Sequence, residues 1–349
     1  MSFRIGSLLL VAVLLGIGGC SQNTTGPNSA GQWAEATAKA PFSGRYGLAG
    51  TVFGGAMWVI GGAAGNANGS VTYYDSDVWS SGNGSSWSQS TGSAPFGGRF
   101  GSRVLSYNGL LWLIGGNSGG NLMNDVWSSP DGVNWTNVLA NSTNPGLNQF
   151  TGREDFGAVV FNNLMWVIGG WAGTNMNDVW SSPDGVNWTN VLANGGANAG
   201  HFGGRWGFST VVYNNAMWLM GGAGSLGANF SPNTAYADVW TSANGNVWTR
   251  LSLVSPFNDL YFSQASVFNN SIWLTGGYLW NNFGPQYGVF TSTNGTAWAA
   301  YDGNFPPRFG HLSLTYNNSI WIIGGCNNAC QSAPCPTTVT YYNDVWDTQ

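Results

Sequence analysis

Met165-Trp166-Val167-Ile168-Gly169-Gly170 decides the fold, because its pattern comes back six times. Diglycines stand at 61–62, 115–116, 169–170, 221–222, 276–277 and 324–325, spaced 48 to 55 residues apart. Three residues before each lies a tryptophan: Trp58, Trp112, Trp166, Trp218, Trp273 and Trp321. Apolar residues around Trp, closed off by glycine, read as a short buried strand. Just upstream, Tyr107-Asn108-Gly109 and Tyr213-Asn214-Asn215 place two residues tolerant of positive φ in succession, as a tight type I′ hairpin requires. Downstream, Asp-Val-Trp recurs at 77–79, 125–127, 178–180, 238–240 and 344–346. An Asx-Gly turn such as Pro130-Asp131-Gly132 follows, and then Trp87, Trp135, Trp188, Trp248 or Trp298. In every complete unit the two aromatics are eight residues apart, which fixes the register of a second hairpin. Each unit therefore reads as four strands, A to D.

Units of about 50 residues that cannot bury their own faces must stack, and four-stranded units stack radially as the blades of a β-propeller. The sixth unit stops before any strand D. The missing strand stands at the other end of the chain, at Gln32-Trp33-Ala34-Glu35-Ala36-Thr37: Trp33 precedes Arg45 by twelve residues, just as Trp87 precedes Arg99. The expected architecture is all-β, a six-bladed propeller of antiparallel blades, with the N-terminal strand completing the last blade and removing its open edge. Residues 123–141 and 176–194 are identical, the mark of a recent duplication.

Gly-Arg-Tyr-Gly at 44–47, the diglycines, Asp-Val-Trp and the later Trp together resemble kelch repeats over residues 32–349. The architecture is similar to the central domain of galactose oxidase, and the sequence as a whole resembles bacterial kelch-repeat lipoproteins. The Ser-x-Asp-Gly-x-x-Trp turns resemble a shortened sialidase Asp box, which is a structural hairpin. Residues 1–19 read as a signal peptide, with Arg4 ahead of an apolar run from Leu8 to Ile17 that is too short to span a bilayer. Ile17-Gly18-Gly19-Cys20 resembles the bacterial lipobox, which implies a diacylglyceryl group on Cys20; Ser21 after it is compatible with outer-membrane sorting in that class. Residues 20–31 are then the lipidated cysteine and a flexible tether with a mean reach of about 20 Å. Localisation to the bacterial envelope follows from these expectations.

Strand order sets the functional face. The A–B and C–D turns are tight and share one face. The B–C and D–A connections share the other and vary in length, and varied loops on a rigid scaffold are where function sits. Arg45, Arg99, Arg153, Arg205 and Arg308 recur there, each thirteen residues before its strand-B Trp. As a cationic ring they would grip a carboxylate bidentately, and in kelch domains that bind acidic peptides arginines near this position contact ligand. The fifth blade argues for a structural role. It has Leu260 in place of the arginine and Gly288 in place of the strand-C aspartate, whereas Asp77, Asp125, Asp178, Asp238 and Asp344 accompany the five arginines. Joint loss is what internal Arg–Asp pairs predict, since orphaning one partner of a buried pair costs about 3–5 kcal/mol. Binding then passes to Trp171, Trp206, Tyr278, Trp280 and His201, aromatic and amide-rich loop residues suited to sugar rings or protein surfaces.

Other chemistries are poorly provided for. Charged residues make up 7% of the chain and Lys39 is its one lysine, so the counterion-displacing patch that nucleic acid requires is missing. His201 and His311 are too few for a His-based three-ligand zinc site, so no metal or cofactor is expected. Glu154 with Asp155 is the one acidic pair on the D–A loops, and as chain neighbours they do not form the opposed carboxylates of an inverting glycosidase. The kelch resemblance still implies an enzyme alternative, a sialic acid mutarotase-like epimerase with Glu154 as base and a channel arginine holding the substrate carboxylate. Cys326, Cys330 and Cys335 crowd one loop, where an oxidising compartment favours one disulfide of open pairing. The function expected is a monomeric, membrane-tethered, non-catalytic binding or scaffolding module for glycan or protein.

Overall fold

The Asn-Asn and Asn-Gly pairs make the turns expected of them: Asn162 and Asn163 have φ of 49° and 57°, and Asn108 and Gly109 have 48° and 73°. The computed structural model describes residues 32–66, 70–197, 200–224, 234–253, 255–257, 260–279, 284–285, 288–327 and 339–348. Six four-stranded antiparallel sheets occur among them. The third blade shows the plan, with strands Gly157–Phe161, Leu164–Trp171, Asn175–Ser182 and Thr189–Leu192 in sequence order from the inside outward. The innermost strands of the six blades, Ala49–Phe53, Arg103–Tyr107, Gly157–Phe161, Ser209–Tyr213, Gln264–Phe268 and Leu312–Tyr316, adjoin one another in that order, and the last adjoins the first.

The ring closes as the sequence requires. Trp33–Thr37 is the outer strand of the sixth blade and pairs with Val345–Thr348, Trp33 opposite Thr348 and Glu35 opposite Trp346. Side chains reinforce this composite blade: the Asn343 amide donates to the carbonyls of Ala40 and Phe42 at 2.9 and 3.0 Å. An addition the repeat does not announce is a small three-stranded sheet in the loops of blade five, from Leu260–Tyr261, Tyr278–Leu279 and Gly284–Pro285.

Neighbouring sheets bury their apolar faces against each other. Val159, Phe161, Trp166 and Ile168 of blade three meet Met217 and Leu219 of blade four in one cluster, with Trp248 wholly buried beside them. Each strand-B tryptophan covers the glycine of the next blade's C–D turn: Trp58 over Gly132, Trp112 over Gly185, Trp166 over Gly245, Trp218 over Gly295 and Trp321 over Gly84. Any Cβ there would run into the indole. Trp273 is the exception, since the blade after it has no C–D turn, its strands C and D coming from opposite ends of the chain.

Gly185 and Gly109 have almost the same backbone, φ 74° and 73°, but a Cβ on Gly185 meets Trp112 and one on Gly109 meets nothing within 4 Å. Gly109→Ala is expected to lower unfolding stability by about 1 kcal/mol, the left-handed backbone penalty alone. Gly185→Ala adds the overpacking term and is expected to lose about 3 kcal/mol. Urea unfolding midpoints check the difference.

Candidate functional site

The loop-bearing face is built on the five arginines. Their side chains are at most 1% exposed, and each guanidinium meets the strand-C aspartate of its own blade: Arg45–Asp77 at 2.5 Å, Arg99–Asp125 at 2.7 Å, Arg153–Asp178 at 2.7 Å, Arg205–Asp238 at 2.5 Å and Arg308–Asp344 at 2.6 Å. The second guanidinium nitrogen reaches the second carboxylate oxygen, making the contact two-pronged. The first nitrogen also donates to the carbonyl of the first diglycine residue, at Gly61, Gly115, Gly169, Gly221 and Gly324. The aspartate in turn accepts from the indole of the strand-C tryptophan two residues on, Trp79, Trp127, Trp180, Trp240 or Trp346, at 2.6–2.8 Å. A phenylalanine three residues before each arginine lies under its guanidinium. The unit is thus a triad of Arg, Asp and Trp. Blade five replaces all three members, with Leu260, Gly288 and Phe290; buried Leu260 packs in an apolar cluster that includes Phe290.

Two residues beyond each arginine position the chain turns left-handed: Gly47, Gly101, Asp155, Gly207, Phe262 and Gly310 have φ between 52° and 64°. Their peptides form a closed circle around the axis. Gly101 N–H donates to Gly47 C=O, Asp155 to Gly101, Gly207 to Asp155, Phe262 to Gly207, Gly310 to Phe262 and Gly47 to Gly310, at 2.6–3.2 Å. Hydrogen-bonded chains lie about 4.8 Å apart, and in a hexagon the radius equals the side. The backbone therefore stands about 5 Å from the axis, which leaves a bore roughly two waters wide.

Above the circle, on the B–C/D–A face, the residues directly after the arginine position form an aromatic collar: Tyr46, Phe100, Trp206, Tyr261 and Phe309, with Glu154 in the sixth place. The rings touch around the axis, Tyr46–Phe100 at 5.7 Å, Tyr46–Phe309 at 6.3 Å, Phe262–Phe309 at 5.8 Å and Trp206–Phe262 at 5.2 Å. Tyr46, Phe100, Phe262 and Trp206 are half-buried, so they plug the channel and still show ring surface. Burial, with the nearby Asp155 charge, pushes the Glu154 carboxyl up to about 8, against the opposing effect of a hydrogen bond from Asn117; Oε2 is buried with no hydrogen-bond partner among the described residues. Burial likewise raises Asp155 to about 6, with Arg103 pulling it back down. No guanidinium stands free beside Glu154 along the chain, since Arg153 is held by Asp178.

The other expected site residues are scattered. Trp206 belongs to the collar. Trp171 is half-buried and bridges Glu154 across the backbone. Tyr278 is buried beneath the collar, 5.4 Å from Tyr261 and 5.6 Å from Phe309. His201 is buried and its Nε2 donates to the Asn177 carbonyl at 2.9 Å, which ties down its loop. His311 is buried against Thr275 at 3.0 Å, and burial, aided by the Arg308 charge, pushes its pKa down to about 3, so the ring is neutral. Cys326 is buried in the plug, whereas Trp280, Cys20, Cys330 and Cys335 lie outside the described residues. No group of three or more His, Cys, Asp or Glu able to hold a metal occurs among the described residues.

Two features escaped the sequence reading. The collar was legible as an aromatic after the arginine position in five units, a signal overshadowed by the arginines themselves. Arg103 was the other. It stands on the innermost strand where the other blades have Ala49, Gly157, Ser209, Gln264 and Leu312.

A family model described as the Kelch motif matches residues 152–181, a segment that runs from just before Arg153 to just past Trp180 and so contains one whole triad. No curated protein matches the chain. Six four-stranded blades in a closed ring, five of them carrying the triad and one matched by that motif, define the class: a β-propeller of the kelch-repeat kind.

Arg153→Leu leaves Asp178 buried and unpaired and is expected to cost about 3–5 kcal/mol. The triple replacement Arg153→Leu, Asp178→Gly, Trp180→Phe, which copies blade five, is expected to recover most of that loss in the same urea titration. Glu154 supplies a pH signature. An acid whose pKa is higher folded than unfolded binds more protons in the native state, so stability falls as pH rises from about 4.5 to about 8. Glu154→Gln is expected to flatten that slope and to leave the protein more stable than wild type above pH 8.

Proposed function

We propose that this propeller is a non-catalytic binding module whose ligand, a glycan, rests on the aromatic collar of the B–C/D–A face. The observation that carries this reading is the contrast between the two sets of residues at the channel mouth. Every ring arginine is taken up by its own aspartate, so the ring offers no free guanidinium, while Tyr46, Phe100 and Trp206 at the channel mouth are only half-buried. Flat apolar rings, with polar groups such as the Asn117 amide and the Glu154 carboxyl between them, suit the C–H face and hydroxyls of a sugar. The binding role itself accords with the kelch propeller, which presents varied loops on a rigid wheel.

A lipid on Cys20 would hold the module at the bacterial envelope, as the small-small-Cys sequence ahead of it suggests. The mutarotase-like alternative draws on Glu154 alone, because the arginine it needs at this face is engaged. A protein ligand would use the same collar.

Glycan-array binding by the protein tests the proposal. Binding of at least one neutral oligosaccharide is expected, weakened tenfold or more by Trp206→Ala and unchanged by Val133→Ser, which alters an exposed side chain in a C–D turn on the opposite face. Absence of any sugar binding, or binding indifferent to Trp206, would overturn it and turn the search to protein partners.

A further inference from the structure

On the other side of the hydrogen-bonded circle the channel widens into a chamber of about 120 Å³, lined by innermost-strand residues of all six blades, among them Gly50, Arg103, Ala158, Thr210, Gln264 and Ser313. Its composition is lopsided. Five blades contribute small, apolar or neutral polar groups, and one contributes a cation. Arg103 has no carboxylate within 4.0 Å among the described residues, unlike the five ring arginines. Its guanidinium makes a single hydrogen bond there, to the Ser102 carbonyl at 3.0 Å, and lies 5.7 Å from the Phe156 ring centroid. Four of the five donors of the fork are therefore available. Thr210 and Gln264 reach the same space from blades four and five, and their side chains make no hydrogen bond to described residues.

An unpaired charge in a confined space is costly, and burial lowers the pKa of Arg103, opposed by the Asp155 charge. Asp155 is a partial counter-ion, placed in the circle itself. A second acceptor delivered from outside would complete the site. The circle and collar close the chamber at one end, so entry is from the A–B-turn face. There the innermost strands carry exposed Ser106 and Thr315.

We propose that this chamber is an anion site centred on Arg103 that takes the carboxylate of a small organic acid or sugar acid, entering from the face opposite the aromatic collar. A planar carboxylate matches the guanidinium fork in two-pronged fashion, with the Thr210 hydroxyl and Gln264 amide as further donors. The volume is close to that of cavities that hold a benzene-sized molecule, about 150 Å³, so it admits a carboxylate head and a few further atoms.

The site is independent of the collar, and its test uses neither the collar nor its ligand. Calorimetric titration of the protein with acetate and with glucuronate, at constant ionic strength against chloride, is expected to give saturable binding of at least one. Acetate alone identifies a small acid as the source of the carboxylate, and tighter glucuronate identifies a sugar acid. Arg103→Gln is expected to abolish binding. Asp155→Asn keeps the shape and the left-handed backbone but removes the competing negative charge, and is expected to tighten binding several-fold at neutral pH. No saturable binding by the wild type, retention in Arg103→Gln, or weaker binding in Asp155→Asn overturns the proposal. The last arm stands even should Arg103→Gln not fold.

Discussion

The structure depends on one guanidinium, repeated five times, that reaches groups no strand can satisfy. The diglycine turns the end of strand B left-handed, so the carbonyl of its first residue leaves the ladder and the N–H of its second faces the neighbouring blade. The arginine answers both. Its side chain donates to the stray carbonyl of its own blade, and its backbone carbonyl receives the N–H from the blade before: Gly62 to Arg99, Gly116 to Arg153, Gly170 to Arg205, Gly277 to Arg308, Gly325 to Arg45. The charge is balanced by an aspartate that is itself held by an indole. Sheets that share only apolar faces could slide or splay, whereas a residue bonded on both sides of the seam fixes the angle between blades. Blade five retains the backbone half of the arrangement, Gly222 to Leu260, and replaces the polar side chains with apolar ones.

Much of this was legible because the repeat states its own rules. The Asn-Gly and Asn-Asn pairs announced the first hairpin, and the constant interval to the strand-D tryptophan announced the second. The closure of the last blade by the strand around Trp33 followed from counting residues to the next arginine. The arginine–aspartate pairs were readable from blade five, where Leu260 and Gly288 replace both partners together, although the third partner, the strand-C tryptophan, was not. Phe290 looked like one aromatic standing for another, when it marks an indole N–H with no acceptor left to meet.

The site was less legible, for a physical reason. Periodicity reveals what the six units share, and a binding site in a ring arises where they differ. Glu154 among the collar aromatics, Phe262 in a left-handed place otherwise given to glycine or aspartate, and Arg103 among small and neutral residues are single departures. Their meaning lies in which neighbours they meet across the axis. Loop residues such as His201 and Tyr278 looked available because they fall between strands, but aromatic packing and one backbone carbonyl draw them inward. The two faces of the channel consequently differ in chemistry, aromatic and closed on one side, cationic and open on the other.

The strand Trp33–Thr37 sits at the rim, outermost in the composite blade, and the chain reaches it at the end where Trp33 faces Thr348. Any tension transmitted through the preceding residues would act on that pair first and peel the ladder one rung at a time, without shearing it along its length. The other five blades lie off the line of force. A wheel pulled at this point would yield at its own clasp, shedding one perimeter strand and then recapturing it, while the hub stays intact.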